Sequence, residues 1–358
     1  MLHNILITGA SGYLGGTILA RWASANIAPY DKLFALVRSD TQAQAVKDLY
    51  GATPLTLSLH DAQSVKDAIV SAKITIVIFL IDSYRPDTQL AFIDGLSEVG
   101  KLTGLTTHLV HTTGAKMFSE HSGMPVDRPL SDADPNLYDL QKHSKAPAEE
   151  MQMAMETNTK IIDAGLEKNV RTYIMAPCIV YGRGEGFGNR ISIQTVDVVV
   201  GARNAGQVYE FPEKGQTWPV CSLPDTVNFF LAMIKAMVTD SNPNHGKNGF
   251  YLAASGSVAW HEIYVAMAKA LKKREAIPTD EVATFTNEAL AKYAEAQGVD
   301  ASSVRVKIAG RRCTFYAEQG KQFGWSPVHR PEHILRELDY EVELILNELS
   351  RGQKTGTR

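Results

Sequence analysis

A doubly wound parallel α/β sheet with a smaller C-terminal α+β lobe is the fold this sequence predicts, and three observations predict it. Six runs, at 4–8, 33–37, 54–59, 74–80, 107–111 and 172–176, are nearly continuous in β-branched and aliphatic residues, as strands covered on both faces must be. Helix-length segments separate them, which is the alternation that makes a parallel sheet. A loop rich in glycine, Gly182-Arg-Gly-Glu-Gly-Phe-Gly188, then ends the regular alternation.

A chain of 358 residues is too long for one core of ordinary size, so two unequal lobes follow. The first comprises 1–182 with a return at about 217–245. The second comprises 183–216 and 246–348, and 349–358 reads as a tail without apolar periodicity. Within the second lobe, 191–205 and 258–272 read as helices, 215–223 as extended chain, and Pro224 opens a further helix.

The composition is that of an ordinary globular protein: 44% hydrophobic, 21% charged, formal net charge -3. Basic residues are scattered, so no nucleic-acid partner is expected. The longest apolar run, 74–81, falls far short of the roughly 20 residues of a membrane helix. No secretory signal precedes the first strand, and Cys178, Cys221 and Cys313 fit neither a disulfide framework nor a metal site; a cytoplasmic setting is the expectation. The ten histidines form no metal set, since His108 and His111 face opposite sides of a strand and Pro331 separates His329 from His333.

The first strand runs into Ile5-Leu-Ile-Thr-Gly-Ala-Ser-Gly-Tyr-Leu-Gly15. Gly9 permits a tight turn, Gly12 lets the backbone approach a pyrophosphate, and Gly15 lets the helix lie close to the strand, while the N–H groups opening that helix receive negative charge. This is a Rossmann-like dinucleotide site. Thr8-Gly-Ala-Ser-Gly-Tyr-Leu-Gly15 resembles the cofactor fingerprint of the extended short-chain dehydrogenase/reductases, the group that includes NAD-dependent epimerases and dehydratases, and the likeness is strongest up to about Asp225.

At the end of the second strand, where an NAD enzyme places a carboxylate against the ribose hydroxyl, Leu36-Val-Arg-Ser39 supplies Arg38. A guanidinium there suits a 2′-phosphate, so NADP(H) is expected; a solvent-facing strand end is the alternative for Arg38. The resemblance further implies cofactor contacts at Gly9, Ser11, Gly12, Tyr13, Leu14, Gly15, Leu59, Leu80, Lys142, Pro177, Cys178 and Ile179. Asp61 stands where the family often has an acid near the adenine, with Ser58 at the earlier acidic position. Cys178 reads as a packing residue, because no base is spaced to activate it.

The resemblance implies a hydroxyl at the end of the fifth strand, supplied by Thr113, and a Tyr-x-x-x-Lys pair about 25 residues later, supplied by Tyr138 and Lys142. In that chemistry the tyrosine gives a proton to a carbonyl oxygen as hydride arrives, and the lysine lowers a phenol pKa that is otherwise about 10. Ser144-Lys-Ala-Pro-Ala-Glu-Glu150 offers a second frame, with Gln141 where the tyrosine would be and Lys145 as the lysine. The interval from Thr113 favours Tyr138 and Lys142.

The stretch Gly215-Gln-Thr-Trp-Pro-Val-Cys-Ser-Leu-Pro-Asp225 places Trp218 where relatives acting on nucleotide sugars hold a diphosphate with arginine. An indole adds an apolar wall and removes that charge, although Arg183, Arg190 and Arg203 could stand in. Tyr181, Phe187 and Trp218 are the expected substrate contacts, for a small and largely apolar carbonyl compound. The expected activity is NADPH-dependent reduction by an oxidoreductase, with an epimerase or dehydratase that recycles its cofactor, and a non-catalytic NADP(H) sensor, as alternatives. The family resemblance also allows a homodimer formed through the tyrosine-bearing helix.

Overall fold

The computed structural model describes residues 1–308 and 311–352. Seven parallel strands form the main sheet: β1 (Asn4–Ile7), β2 (Lys32–Leu36), β3 (Thr53–Leu55), β4 (Ile76–Phe79), β5 (His108–Thr112), Arg171–Pro177 and Phe250–Ala253. Their spatial order is β3, β2, β1, β4, β5, Arg171–Pro177, Phe250–Ala253. Strands β1 and β4 are buried along their whole length, as the apolar runs require. The order reverses direction between β1 and β4, and the crevice beyond the carboxyl ends of those strands is where such sheets bind ligands.

Helices cover both faces. Tyr13–Arg21 packs with Asp40–Tyr50 and Leu223–Val238 on one side, and Ala62–Ser71, Asp87–Thr103 and Glu149–Lys168 lie together on the other. The seventh strand departs from the expected division of the chain. Phe250–Ala253 lies beyond residue 245, yet Phe250 pairs with Ile174 and Ala253 with Pro177 in the main sheet. Four apolar residues with no local period do not reveal which lobe they join. The third strand is also shorter than expected, stopping at Leu55, which leaves Leu59 in a loop.

The smaller lobe is built on Gln194–Ala205, Trp260–Lys273, Asn287–Gln297, Ala301–Ile308 and His333–Ser350. A three-stranded sheet joins Ile179–Tyr181, Thr217–Ser222 and Gly256–Ala259. Glu341 ties the last helix to the loop after Tyr181: buried, it accepts from Gly182 N at 2.9 Å, Ser192 Oγ at 3.1 Å and Thr195 Oγ1 at 3.0 Å. The expected tail is helical at Leu349 and Ser350, and 353–358 lie outside the described residues. No helix among the described residues is long and apolar enough to cross a membrane.

Candidate active site

The glycine turn has the form its spacing predicts. Gly9 takes φ +65°, in the left-handed region, and a Cβ on Gly15 would overlap the Gly9 carbonyl. Thr8 holds the turn against the end of β4 by accepting the Leu80 N–H at 2.8 Å, and Leu80 lies beside Gly9. The turn, the opening of the helix Tyr13–Arg21 and the absence of any side chain at Gly12 leave a cradle that suits a pyrophosphate.

Beside it, Ser39 caps the helix Asp40–Tyr50, and Gln42 bridges two functional segments: its Oε1 accepts the Arg38 N–H at 2.9 Å and its Nε2 donates to Ser11 Oγ at 3.2 Å. The exposed Arg38 guanidinium has no hydrogen bond or ion pair among the described residues. Asp61 caps the helix Ala62–Ser71 through Gln63 N and Ser64 Oγ, which holds its carboxyl below the ordinary range. Leu59 spends its carbonyl on Thr88 Oγ1 at 3.4 Å.

The loop after Tyr181 lies on this turn. Tyr13 donates to the Gly182 carbonyl at 2.5 Å, Asn189 N donates to the Ser11 carbonyl at 2.8 Å, and Arg21 pairs with Glu185. Phe187 packs on Tyr50 and bonds its hydroxyl through the backbone. Phe187 sits on the nucleotide side, and Tyr181, buried, bonds His333 Nδ1 at 3.0 Å. Trp218 is also fully buried, edge-on to His121 and tilted against Trp260.

At the carboxyl edge, Thr113 N donates to the Met175 carbonyl at 2.8 Å, while the Thr113 and Thr112 hydroxyls are buried without a partner among the described residues. Unpaired buried hydroxyls require an explanation, and a ligand oxygen supplies one. Pro177 and Ile179 flank this edge; Cys178 donates to the Ala253 carbonyl, and burial pushes its thiol well above the ordinary value, which leaves it a packing residue.

Tyr138 and Lys142 do meet, one turn apart on Leu137–His143, with the ammonium donating to the phenol oxygen at 2.6 Å. The phenol donates to Asp163 Oδ1 at 2.5 Å, Lys142 reaches Asp163 Oδ2 at 3.1 Å, and Lys247 Nζ stands 4.7 Å from the ring centroid. Asp163 lies near the end of Glu149–Lys168, two residues before Gly165, which packs on Thr172. Thr172 is three strand residues, about 10 Å, below Met175 and the level of Thr113.

The pair thus stands beside the amino-terminal half of the sheet, bonded to Asp163 and, among the described residues, without a bond to Thr113. The physical reason is the break at Pro147. The chain climbs from Tyr138 past Gln141 to Ser144, and the helix that descends from the carboxyl edge begins only at Glu149. Burial, then the bond to Asp163, raise the Tyr138 pKa above its ordinary value, and Lys142 does not offset them. The second frame fares no better: Gln141 is buried as a connector, donating to the Met117 carbonyl and accepting from Asn158, both at 3.1 Å.

Two groups absent from the sequence reading do lie at the carboxyl edge. Lys116 follows Thr113 by three residues, and Asp197 interrupts the apolar run Val196 to Val200 on the facing helix. A lysine in the loop leaving a central strand and an acid inside an apolar helix were the available signals.

The residues matched by the family model for the NAD dependent epimerase/dehydratase family are 5–246. The chain belongs to that family. Its members need not share chemistry, and the relatives differ accordingly. Oxidase ucsJ of Acremonium sp is 21% identical over 96% of this chain and 97% of its own. A sterol-4-alpha-carboxylate 3-dehydrogenase, decarboxylating, of Dictyostelium discoideum is 39% identical over 75 residues, 21% of either chain.

Two solved structures show the same fold. One is the dTDP-glucose 4,6-dehydratase of Bacillus anthracis in complex with NAD, with TM-score 0.62 and 13% identity, covering 96% of this chain and 97% of that one. The other is the yeast methylglyoxal/isovaleraldehyde reductase Gre2 complexed with NADPH, with TM-score 0.56 and 11% identity, covering 96% and 99%. The chain is thus a member of a nicotinamide-dinucleotide-dependent family with a Rossmann-like sheet. Among the described residues no group of three or more His, Cys, Asp or Glu is arranged to hold a metal ion.

Proposed function

We propose that the protein is an NADP(H)-dependent oxidoreductase acting on a carbonyl or hydroxyl carbon of a small metabolite with a largely apolar body. The observation that carries the reading is the unpaired Thr113 hydroxyl at the carboxyl edge, beside a complete dinucleotide cradle. The cradle residues Gly9, Ser11, Gly12 and Gly15 would hold the pyrophosphate, and Arg38 with Ser39 would hold the 2′-phosphate. Bound NADP(H) would supply or take the hydride at carbon, and the proton that the oxygen gains or loses with it would pass through the Thr113 hydroxyl from or to water. Thr113 hydrogen-bonds the reacting oxygen and fixes its direction, and Pro177 and Ile179 shape the nicotinamide wall. Solved structures of the same fold hold NADPH in one case and NAD in another, so the choice of NADP(H) rests on Arg38.

In this reading Tyr138, Lys142 and Asp163 form a clamp between two helices. A second reading, an epimerase or dehydratase with a recycled cofactor, draws on the loop of 182–189, whose bonds to Tyr13 and Ser11 would slow cofactor exchange.

Titration of the protein with NADPH and NADH, followed by nucleotide fluorescence, tests the proposal. Replacing Arg38 by Glu should weaken NADPH by about 10- to 100-fold, the worth of a charge-assisted contact, and leave NADH nearly unchanged. Equal losses for both nucleotides would remove the phosphate role. Absence of binding to either would overturn the function as a whole.

A further inference from the structure

Three segments from different parts of the chain converge beyond the carboxyl edge of the sheet. The first is Ala115–Phe118, the turn that follows Thr113. The second is the helix Gln194–Ala205, and the third is the helix Ala301–Ile308 packed against it. The third is brought to the first by its continuation. Arg311 N donates to His121 Nε2 at 3.1 Å, Arg311 pairs with Glu120 at 3.0 Å, and Cys313 Sγ donates to the carbonyls of Ala115 and Phe118.

Each segment contributes one charged side chain: Lys116, Asp197 and Lys307, which sense one another electrostatically, with Glu150 at the start of Glu149–Lys168 a fourth neighbour of Lys116. None of the three carries a hydrogen bond or ion pair among the described residues. Asp197 is 7% exposed, and elsewhere in this chain buried carboxylates such as Glu341 and Asp225 are bonded by several donors. A nearly buried carboxylate that has no donor among the described residues, and that senses two ammonium groups without bonding either, is one that a ligand's polar groups would complete. A structural ion pair would have closed it.

We propose that Lys116, Lys307 and Asp197 are the substrate-recognition residues of the oxidoreductase site, and that the substrate is a hydroxy or oxo acid with an apolar body. The two ammonium groups take the carboxylate, and Asp197 accepts from the hydroxyl that Thr113 faces from the other side. The proposal rests on the oxidoreductase reading and names its substrate class. Burial lowers the Lys116 pKa to about 8 and raises that of Asp197 to about 6. Acid binding should then weaken as pH rises through 8, where Lys116 loses its proton.

Calorimetry on the NADPH-loaded protein tests this, with 3-hydroxy-3-phenylpropanoate, its amide and 3-phenylpropanoate as probes. The hydroxy acid should bind about tenfold or more tightly than its amide, as a charge-assisted contact requires. Lys116→Met should abolish that preference, Lys116→Arg should keep most of it, and Asp197→Asn should erase the preference for the hydroxy acid over 3-phenylpropanoate. NADPH affinity should stay constant in all three variants. Equal binding of acid and amide, no binding of any probe at millimolar concentration, or a preference that survives Lys116→Met would each overturn the proposal. Failure of NADPH itself to bind would instead strike the oxidoreductase reading.

Discussion

The two edges of the seven-stranded sheet each carry a polar cluster, and the clusters differ in how far they are satisfied. Near the amino edge, Tyr138, Lys142 and Asp163 bond one another in a closed triangle, with Lys247 over the ring. At the carboxyl edge, the Thr112 and Thr113 hydroxyls have no partner among the described residues, and Lys116 and Asp197 sense each other without a bond between them. A closed network adds stability and rigidity, whereas unsatisfied groups are held ready by the surrounding fold for something that binds. Spacing along the chain brings Tyr138 and Lys142 together, whereas the level at which the pair meets the sheet is set by its bonds to Asp163.

The sharpest way to break the carboxyl edge is through its backbone. A Val at Gly15 has no room for its Cβ against the Gly9 carbonyl, so Gly15→Val should abolish NADPH binding, more than 100-fold by fluorescence titration, while Gly51→Ala, which strains a left-handed helix end but meets no atom, should lower stability and spare the nucleotide. Lys116→Met is next, with an expected fall of roughly 10- to 100-fold in kcat/KM on a hydroxy acid and an unchanged NADPH affinity.

The amino edge should respond in the opposite sense. Tyr138→Phe removes the phenol that joins Lys142 to Asp163, so stability should fall by about 1–2 kcal/mol in denaturant unfolding, with turnover kept within about twofold. Loss of turnover with intact stability would make the phenol catalytic after all.

The smallest expected effect concerns Asp197, whose carboxyl pKa is raised to about 6 by burial. Between its unfolded value near 4 and 6 the folded state binds the proton more readily than the unfolded chain, so its charge costs stability that is felt fully above pH 6. Asp197→Asn should therefore raise Tm at pH 8 by more than at pH 5. An equal shift at both would show that the carboxylate is not desolvated.

Much of this was legible in the chain. Six strands of the main sheet, the glycine turn and the helices at 194–205, 223–238 and 260–273 follow from apolar runs and caps that act locally. The seventh strand did not, because Phe250–Ala253 gains its place from pairing with a strand some 75 residues earlier. The four-residue spacing brings Lys142 onto the Tyr138 phenol, whereas the level at which the sheet holds the pair depends on where the chain breaks around Pro147. The convergence of Lys116, Asp197 and Lys307 was hidden for a similar reason, since three segments nearly 200 residues apart meet only through packing.

The most direct test of the account is a structure of the protein with NADPH, measured from the C4 atom of the nicotinamide. The Thr113 hydroxyl should lie within about one substrate atom of hydrogen-bond reach of the reacting position, and the Tyr138 hydroxyl should stand on the order of 10 Å away, still bonded to Asp163. A nicotinamide with the Tyr138 hydroxyl at about 3 Å from the reacting oxygen's place, and Asp163 released, would contradict it.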